Sequence, residues 1–432
     1  MAPPRRARRW RVQAAIEALT DRFAARFPVR IASPRRIGRE AEFPLVRADG
    51  RAGDTFALWD PLRADRTARV TYDDPDRQTL IERIELDDAA YEVEMGRATV
   101  EVVLPPVADL IALEVGSAGA VRRVVRAAAS EGMAVLGYGI QPRTPGTPAL
   151  MTAKRRYLAL HRAIGRPWLR FTTTASDQVQ IDVTRGELLD AINLMNLLSG
   201  PVIALTANSR VYGGRIGAYR SGREALLAAL GRQRHGMTPR RFESLEEFVG
   251  FICAQTCYVL PEGKRYRSFR RPFTAYLAER GPDLTAYLWH EHYTWNSARP
   301  RAHHGTIEIR PACQQPPDES LAAAALSLGL VEALPHLGPF LQEELGPDPW
   351  PAMAAYRRAA VRDGVRARQP APRLLAGLLD LAASALRRRG RGEERYLRPL
   401  FRRLERRELP ADRAAARFRR GRVGALIQEF RL

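Results

Sequence analysis

Apolar residues along the chain follow two different periods. Residues 13–27 place Ala15, Ile16, Leu19, Phe23 and Phe27 at helical spacing. From Ile37 the pattern changes to alternation, which predicts short strands at 37–46, 67–72, 90–104, 169–183 and 304–310. Helical spacing returns between them, at 107–131, 148–164, 185–198, 221–231 and 244–256. Residues 318–432 read as irregular and helix-rich. Strands of mixed spacing among helices predict an α+β fold, with a mainly antiparallel sheet covered by helices. Three regions are expected: a basic disordered arm at 1–12, a catalytic domain at 13–335, and an Arg-rich helical region at 336–432.

Side chains alternate faces along a strand. In Ile37-Gly38-Arg39-Glu40-Ala41-Glu42-Phe43, Glu40 and Glu42 therefore share one face, and Ile37, Ala41 and Phe43 share the other. Two neighbouring carboxylates repel, and without a cation one of them tends to protonate. Mg²⁺ removes the conflict, because it is hard and prefers carboxylate oxygens. In the segment Tyr91–Pro105, Glu101 interrupts an apolar alternation. Gly96 reads as a bend or bulge that returns Glu94 to the side of Glu101. Gln178, Gln180 and Asp182 share a face of a third strand, and Glu308 and Arg310 share one of a fourth. Any one of these strands alone reads as half-exposed, with its polar side in water. Together they predict a sheet with a wet, metal-binding concave face.

Composition adds limits. The 432 residues are 45% hydrophobic and carry a formal net charge of +21. Only Lys154 and Lys264 among the 69 basic residues are lysines, a bias that reads as codon composition as much as selection for a partner. Such a basic chain attracts anions. Cys253, Cys257 and Cys313 are too few for a disulfide framework, so a reducing cytoplasm is expected. No apolar run suits a signal peptide or a membrane span. Neither lysine completes a phosphate-binding G-x-x-x-x-G-K-[ST] loop, and Gly137-Tyr138-Gly139-Ile140-Gln141-Pro142 ends in proline where a dinucleotide fingerprint needs glycine. Arginines cluster at 387–391 and 417–422. Aromatics for base stacking are sparse there, so nucleic acid is not the expected partner.

These strands, in this order, resemble the glutamate–cysteine ligase family, in the branch shared by bacteria and plants. The resemblance covers roughly 35–335. It rests on Gly38-Arg39-Glu40-Ala41-Glu42, on Glu94 and Glu101 before Val102-Val103-Leu104-Pro105, and on Gly139-Ile140-Gln141-Pro142. It continues through Lys154-Arg155-Arg156-Tyr157, Thr174–Asp182, Ala207-Asn208-Ser209 with Ser221-Gly222-Arg223, and Glu308-Ile309-Arg310. The family implies a funnel of antiparallel strands related to the glutamine synthetase fold. It implies an ATP-dependent ligase that makes γ-glutamylcysteine from glutamate and cysteine through a γ-glutamyl phosphate. By position, Glu40, Glu42, Glu94, Glu101, Gln178 and Glu308 would hold two to three Mg²⁺ ions. Arg310, Arg223 and Glu308 would be catalytic. Gln180, Arg310 and Arg156 would contact ATP, and Arg223, Tyr138 and Thr174 the substrate.

The chain departs from the family pattern at Cys313, Arg210, Gln180 and Leu227. These fall near the expected substrate positions and leave open the same chemistry on a different acid or amine. A catalytically inactive binding homologue is the further alternative. Among smaller features, His290 and His292 are read as sharing a strand face, and Cys253 and Cys257 as an i, i+4 pair on a helix. Tyr138 is placed in a turn facing the funnel.

Overall fold

The computed structural model describes residues 5–263 and 265–432. Its centre is a nine-stranded sheet in which every pairing is antiparallel. In chain order the strands are β1 (Ile37–Arg47), β2 (Arg69–Tyr72), β3 (Ile81–Glu85), β4 (Ala90–Val93), β5 (Thr99–Val107), β6 (Met133–Val135), β7 (Asp177–Asp182), β8 (Ala298–Arg301) and β9 (Thr306–Ile309). Their spatial order is β8-β9-β7-β1-β5-β4-β3-β2, and β6 pairs with the far end of β1. β1 is the spine, lying between β5 and β7.

Alternation dictates what each face meets. On β1, Ile37, Ala41, Phe43 and Leu45 are buried in the main core. That face is covered by helix Leu110–Ser130, which packs on β1 and β5, and by helix Ala322–Glu332, which packs on β7. The first of these starts cleanly because the Asp109 side chain accepts from the Ile111 and Ala112 amides, satisfying donors that the helix itself leaves open. It buries Leu113, Ser117, Ala120 and Val124, one stripe of its surface. A fully buried pair, Arg39 Nε to Asp177 at 2.7 Å, with Arg39 also donating to Ser117 Oγ at 3.1 Å, ties strands β1 and β7 to that helix.

Several expected elements differ. The first helix spans Arg5–Ala24, so residues 5–12 are helical rather than a disordered arm; Met1–Pro4 lie outside the described residues. Arginine and alanine are good helix formers, and Leu19 and Phe23 anchor the helix in the core. The strand expected over 90–104 is two strands joined at Gly96: the Thr99 amide donates to the Gly96 carbonyl and the Glu94 amide to Thr99. The strand expected from 169 begins only at Asp177, because Arg166–Thr173 form a 3₁₀ helix with Pro167 in its first turn. His290 and His292 lie on helix Leu284–His292, where residues two apart point to different sides. Cys253 lies in the last turn of helix Leu245–Ala254 and Cys257 lies on strand Thr256–Glu262, so they form no helical pair.

The C-terminal helices are built into the same core. Helix Leu374–Arg388 packs on Ala322–Glu332, and helix Trp350–Asp363 on Ser199–Thr206. Arginines of this region make structural contacts. Arg389 donates to the Ala108 carbonyl at 2.7 Å and pairs with Glu393 at 2.5 Å, and Arg403 donates to the Leu205 carbonyl at 2.8 Å. Among the described residues no single helix is long and apolar enough to cross a membrane. Two strongly apolar ones, Ser199–Thr206 and Ala322–Glu332, are buried within the protein.

Candidate active site

The open face of the sheet lines a cavity of about 590 Å³. Strand register puts its polar side chains in rows. One row runs Glu42–Glu101–Glu92–Arg83 across β1, β5, β4 and β3. A second places Glu40 opposite Gln178 on β7, with Arg310 just beyond the end of β9. A third runs Gly38–Gln180–Glu308–Arg299 across β1, β7, β9 and β8. Glu94 reaches the same face by another route than the expected bend. It leaves the end of β4, and the hairpin turn at Gly96 resets the alternation before Glu101 on β5. Gly96 has no substitute there, because a Cβ would sit 1.9 Å from the Thr172 carbonyl oxygen.

The two sides of the cavity are charged oppositely. On the β1–β5–β4 side, Glu40, Glu42, Glu94 and Glu101 line the wall together. Burial first, and then the neighbouring Glu94, push the Glu42 carboxyl up to about 7. Burial and then Glu94, Glu40 and Glu92 push Glu101 well above the usual carboxylate range, and burial with Glu308 raises Glu40. On the β7–β9–β8 side Glu308 is held well below its ordinary range. Burial would raise it, but Arg299, Arg310 and Arg301 outweigh that. Arg310 Nη1 lies 2.9 Å from Glu308, and Arg299 Nε contacts the same oxygen.

Two amides join the sides. Gln178 donates to Glu42 at 2.8 Å and accepts from Arg310. Gln180 donates to Glu40 and accepts from Thr306 Oγ1 at 3.2 Å. Glu42 also accepts from the Ser176 amide at 2.7 Å. Thr174 lines the cavity, as do Arg156 and Arg223. Glu82 holds Arg156 at 3.1 Å, and the guanidinium lies over the Tyr157 ring at 4.9 Å.

The acidic side fits Mg²⁺ in its chemistry: hard oxygen donors grouped on one wall, with Glu42 and Glu101 buried and their carboxyls pushed up by burial and by neighbouring carboxylates. Among the described residues, no group of three or more His, Cys, Asp or Glu is already arranged to hold a metal. Mg²⁺ is commonly bound by one or two carboxylates plus substrate phosphates rather than by an all-protein cage. Glu40, Glu42, Glu94 and Glu101 suit that open mode. Glu308 does not in this arrangement, since its oxygens are taken by Arg299 and Arg310.

The remaining sequence-predicted residues separate clearly. Tyr138 does not face the cavity. It is fully buried against Phe430, with ring centroids 5.1 Å apart, and its hydroxyl accepts from the Val211 amide at 2.7 Å. The turn carrying it is covered by the C-terminal helix, which sequence spacing did not reveal. Two of the departures from the family pattern also lie off the cavity lining. Arg210 pairs with Asp412 of helix Pro410–Phe430 at 2.9 Å, and Cys313 Sγ lies 3.3 Å from Ser209 Oγ in buried surroundings. Leu227 lines only a small void beside Arg223 and Arg310.

Sequence reasoning missed Glu92, Arg83, Arg299, Arg301 and the aromatic wall of Trp168, Phe171, Tyr293 and Trp295. Arg299 and Arg301 carry a readable signal, since they alternate two apart. Alternation in Ala298-Arg299-Pro300-Arg301 is masked by the proline. His292 also reaches the cavity, with Nδ1 3.0 Å from Arg301 Nη1.

A curated glutamate–cysteine ligase from Natronomonas pharaonis is 26% identical over 302 residues, covering 69% of each chain. Among solved structures, the bifunctional glutathione synthetase from Pasteurella multocida superposes with a TM-score of 0.54 at 13% identity, over 91% of this chain. This chain spans about half of that enzyme, 52% of its length. The glutamate–cysteine ligase from Francisella tularensis, solved with AMP, aligns at a TM-score of 0.46 and 9% identity over 93% of this chain and 88% of its own. The model of glutamate–cysteine ligase family 2 matches residues 36–429, nearly the whole chain, and the protein belongs to that family of carboxylate–amine ligases.

Proposed function

We propose that the protein is an ATP- and Mg²⁺-dependent ligase that joins glutamate to cysteine through a γ-glutamyl phosphate. The observation that carries this reading is one cavity with a group of carboxylates raised by burial and mutual repulsion on one side and guanidinium groups on the other. Phosphoryl transfer asks little covalent help of a protein; it asks for positioning and neutralisation of charge. Glu40, Glu42, Glu94 and Glu101 would hold Mg²⁺, whose charge would neutralise the phosphates. Arg310 offers guanidinium donors to the oxygens of the phosphoryl group in flight. Arg223 serves a second oxyanion, a phosphate or the carboxylate of the acid.

The steps balance simply. An oxygen of the γ-carboxylate attacks the terminal phosphorus of ATP, and the bond to ADP breaks. The amine nitrogen then attacks the acyl carbon, inorganic phosphate leaves with the bonding electrons, and the amine gives up a proton.

A second reading keeps the chemistry and changes the amine. The wall of Trp168, Phe171 and Trp295, with centroids 5.1–5.7 Å apart, presents more aromatic surface than a short thiol side chain requires. The test for both is release of ADP and phosphate by the purified protein against a panel of acids and amines, with products identified by mass spectrometry. Turnover only with Mg²⁺, glutamate and cysteine together is expected under the first reading. Turnover with glutamate and a bulkier amine favours the second, and no ADP from any pair sinks both.

A further inference from the structure

Behind Arg223 lies a group of buried charges that the proposed reaction does not use. Glu224 follows Arg223 in helix Gly222–Leu227 and is 3% exposed. One of its oxygens lies 2.6 Å from Arg223 Nη1. The other lies 2.5 Å from Nη2 of Arg357, which belongs to helix Trp350–Asp363 of the C-terminal region. Glu224 is therefore a bridge between a guanidinium that lines the cavity and one that belongs to a distant helix.

Both ends of the bridge are constrained. Gly236, at φ +87°, lies so close to Arg357 that a Cβ there would stand 2.6–3.0 Å from the guanidinium atoms. A side chain at 236 would crowd the Arg357 guanidinium. His235–Gly236 pairs with Trp295–Asn296, so the same backbone also supports the aromatic wall. At the other end, Arg223 Nη1 is taken by Glu224, while its Nε is buried without a partner. Arg223 also lines the cavity, so the Glu224 bridge ends on a residue of its wall.

The charges agree. Burial would raise Glu224, but His235, Arg357, Arg223 and Arg310 hold it below the ordinary carboxylate range. Burial pushes His235 down to about 3, so near neutral pH the arginines supply that effect. One carboxylate thus serves two guanidiniums, which leaves positive charge for an incoming oxyanion.

We propose that Glu224 and Arg357 are positioning residues: the Arg357–Glu224–Arg223 chain transmits the placement of the C-terminal helices to Arg223 in the cavity wall, where it meets an oxyanion. The oxyanion is a carboxylate of the acid substrate or a phosphate of ATP, and the inference rests on the ligase reading given above. A general electrostatic role and a positioning role make opposite predictions for Glu224→Gln. Removing a negative charge beside the cavity should tighten anion binding if only the field matters. It should weaken binding if the carboxylate aims Arg223.

The experiment is calorimetric titration of the full-length protein with MgATP and, separately, with L-glutamate, alongside steady-state KM and kcat. Glu224→Gln is expected to weaken one ligand about tenfold and leave the other within about twofold, which identifies the oxyanion. Arg357→Met is expected to weaken the same ligand, and Arg357→Lys to recover most of the loss. Melting curves show whether each variant is folded; if Glu224→Gln is not, the Arg357 pair carries the test. Unchanged or tighter binding in folded variants overturns the proposal. So does equal weakening of both ligands together with a lowered melting temperature. Wild-type protein that binds a ligand but forms no ADP with any pair defeats the ligase reading, and the positioning claim is still read from binding. Wild-type protein that binds neither overturns both.

Discussion

Glu101 and Glu308 are buried glutamates on the same face of one sheet, and their carboxyl groups behave in opposite ways. Glu101 is pushed well above the ordinary range by burial and by Glu94, Glu40 and Glu92. Glu308 is buried too, yet Arg299, Arg310 and Arg301 hold it well below that range. The difference lies in the neighbours that register supplies, not in the residue or its depth. On β5 and β4 the rows bring carboxylate to carboxylate; on β9 and β8 they bring carboxylate to guanidinium. On the first side carboxylates outnumber guanidiniums, and the second has charge to share with an anion. A metal–nucleotide complex meets both needs at once.

The contrast can be broken most severely on the acidic side. Glu42→Gln or Glu40→Gln should lower ligase turnover by about 10²-fold or more with the fold retained, since metal-bridged phosphate neutralisation carries much of the barrier lowering. Circular dichroism beside ADP release would check it, and near-normal turnover would remove these residues from the metal site. Arg310→Met should fall at the lower end of that range, on the order of 10²-fold in kcat, because one donor to the moving phosphoryl group is lost while Arg223 remains. A loss confined to KM would reassign Arg310 to ground-state binding.

A smaller effect should appear without any substrate. Saturating Mg²⁺ should raise the melting temperature of the wild type, with stabilisation of about 2.7 kcal/mol at a hundredfold excess over Kd. Addition of a chelator should reverse it. The shift should shrink in Glu42→Gln and persist in Tyr138→Phe, because Tyr138 packs on Phe430 away from the cavity.

The smallest effect is a pH slope in metal-free protein. Below about pH 4.5 the Glu42 carboxyl is protonated in both states. Between that point and about 7 the unfolded chain has released the proton and the folded chain still holds it. The unfolded state then binds fewer protons, so stability falls as pH rises through this window and levels off above it. The loss should be on the order of a few kcal/mol. Glu291, also pushed up to about 7 by burial, acts in the same direction. Denaturant melts at several pH values should show the slope, and Glu42→Gln should flatten it. A slope that does not change in that variant would mean the Glu42 carboxyl is ionised without metal.

Much of this face was legible in the sequence because alternation alone places Glu40 beside Glu42, Gln178 beside Gln180, and Glu308 beside Arg310. What the sequence concealed came from contacts between distant segments. The hairpin at Gly96 was misread as a bend because the local pattern does not show that a strand has ended. Tyr138 was misplaced because its cover, Phe430, lies at the other end of the chain. The basic side was under-read for a related reason. Arg299 and Arg301 mean little until β8 is laid beside β9, where Arg299 meets Glu308. The departures at Arg210 and Cys313 pointed to substrate, but Arg210 instead pins a helix and Cys313 packs between two serines.

The position of β1 as the spine also shapes how the protein comes into being. Its partners β5, β7 and, beyond them, β9 are all made later during synthesis. No local fragment can assemble the face that carries Glu40, and closure must await the strand of Glu308. Long-range pairings of this kind fold slowly and leave strand edges open to wrong partners meanwhile. Heterologous production should therefore reward slow translation or chaperone supply, and truncation before β9 should yield aggregation rather than a partial enzyme.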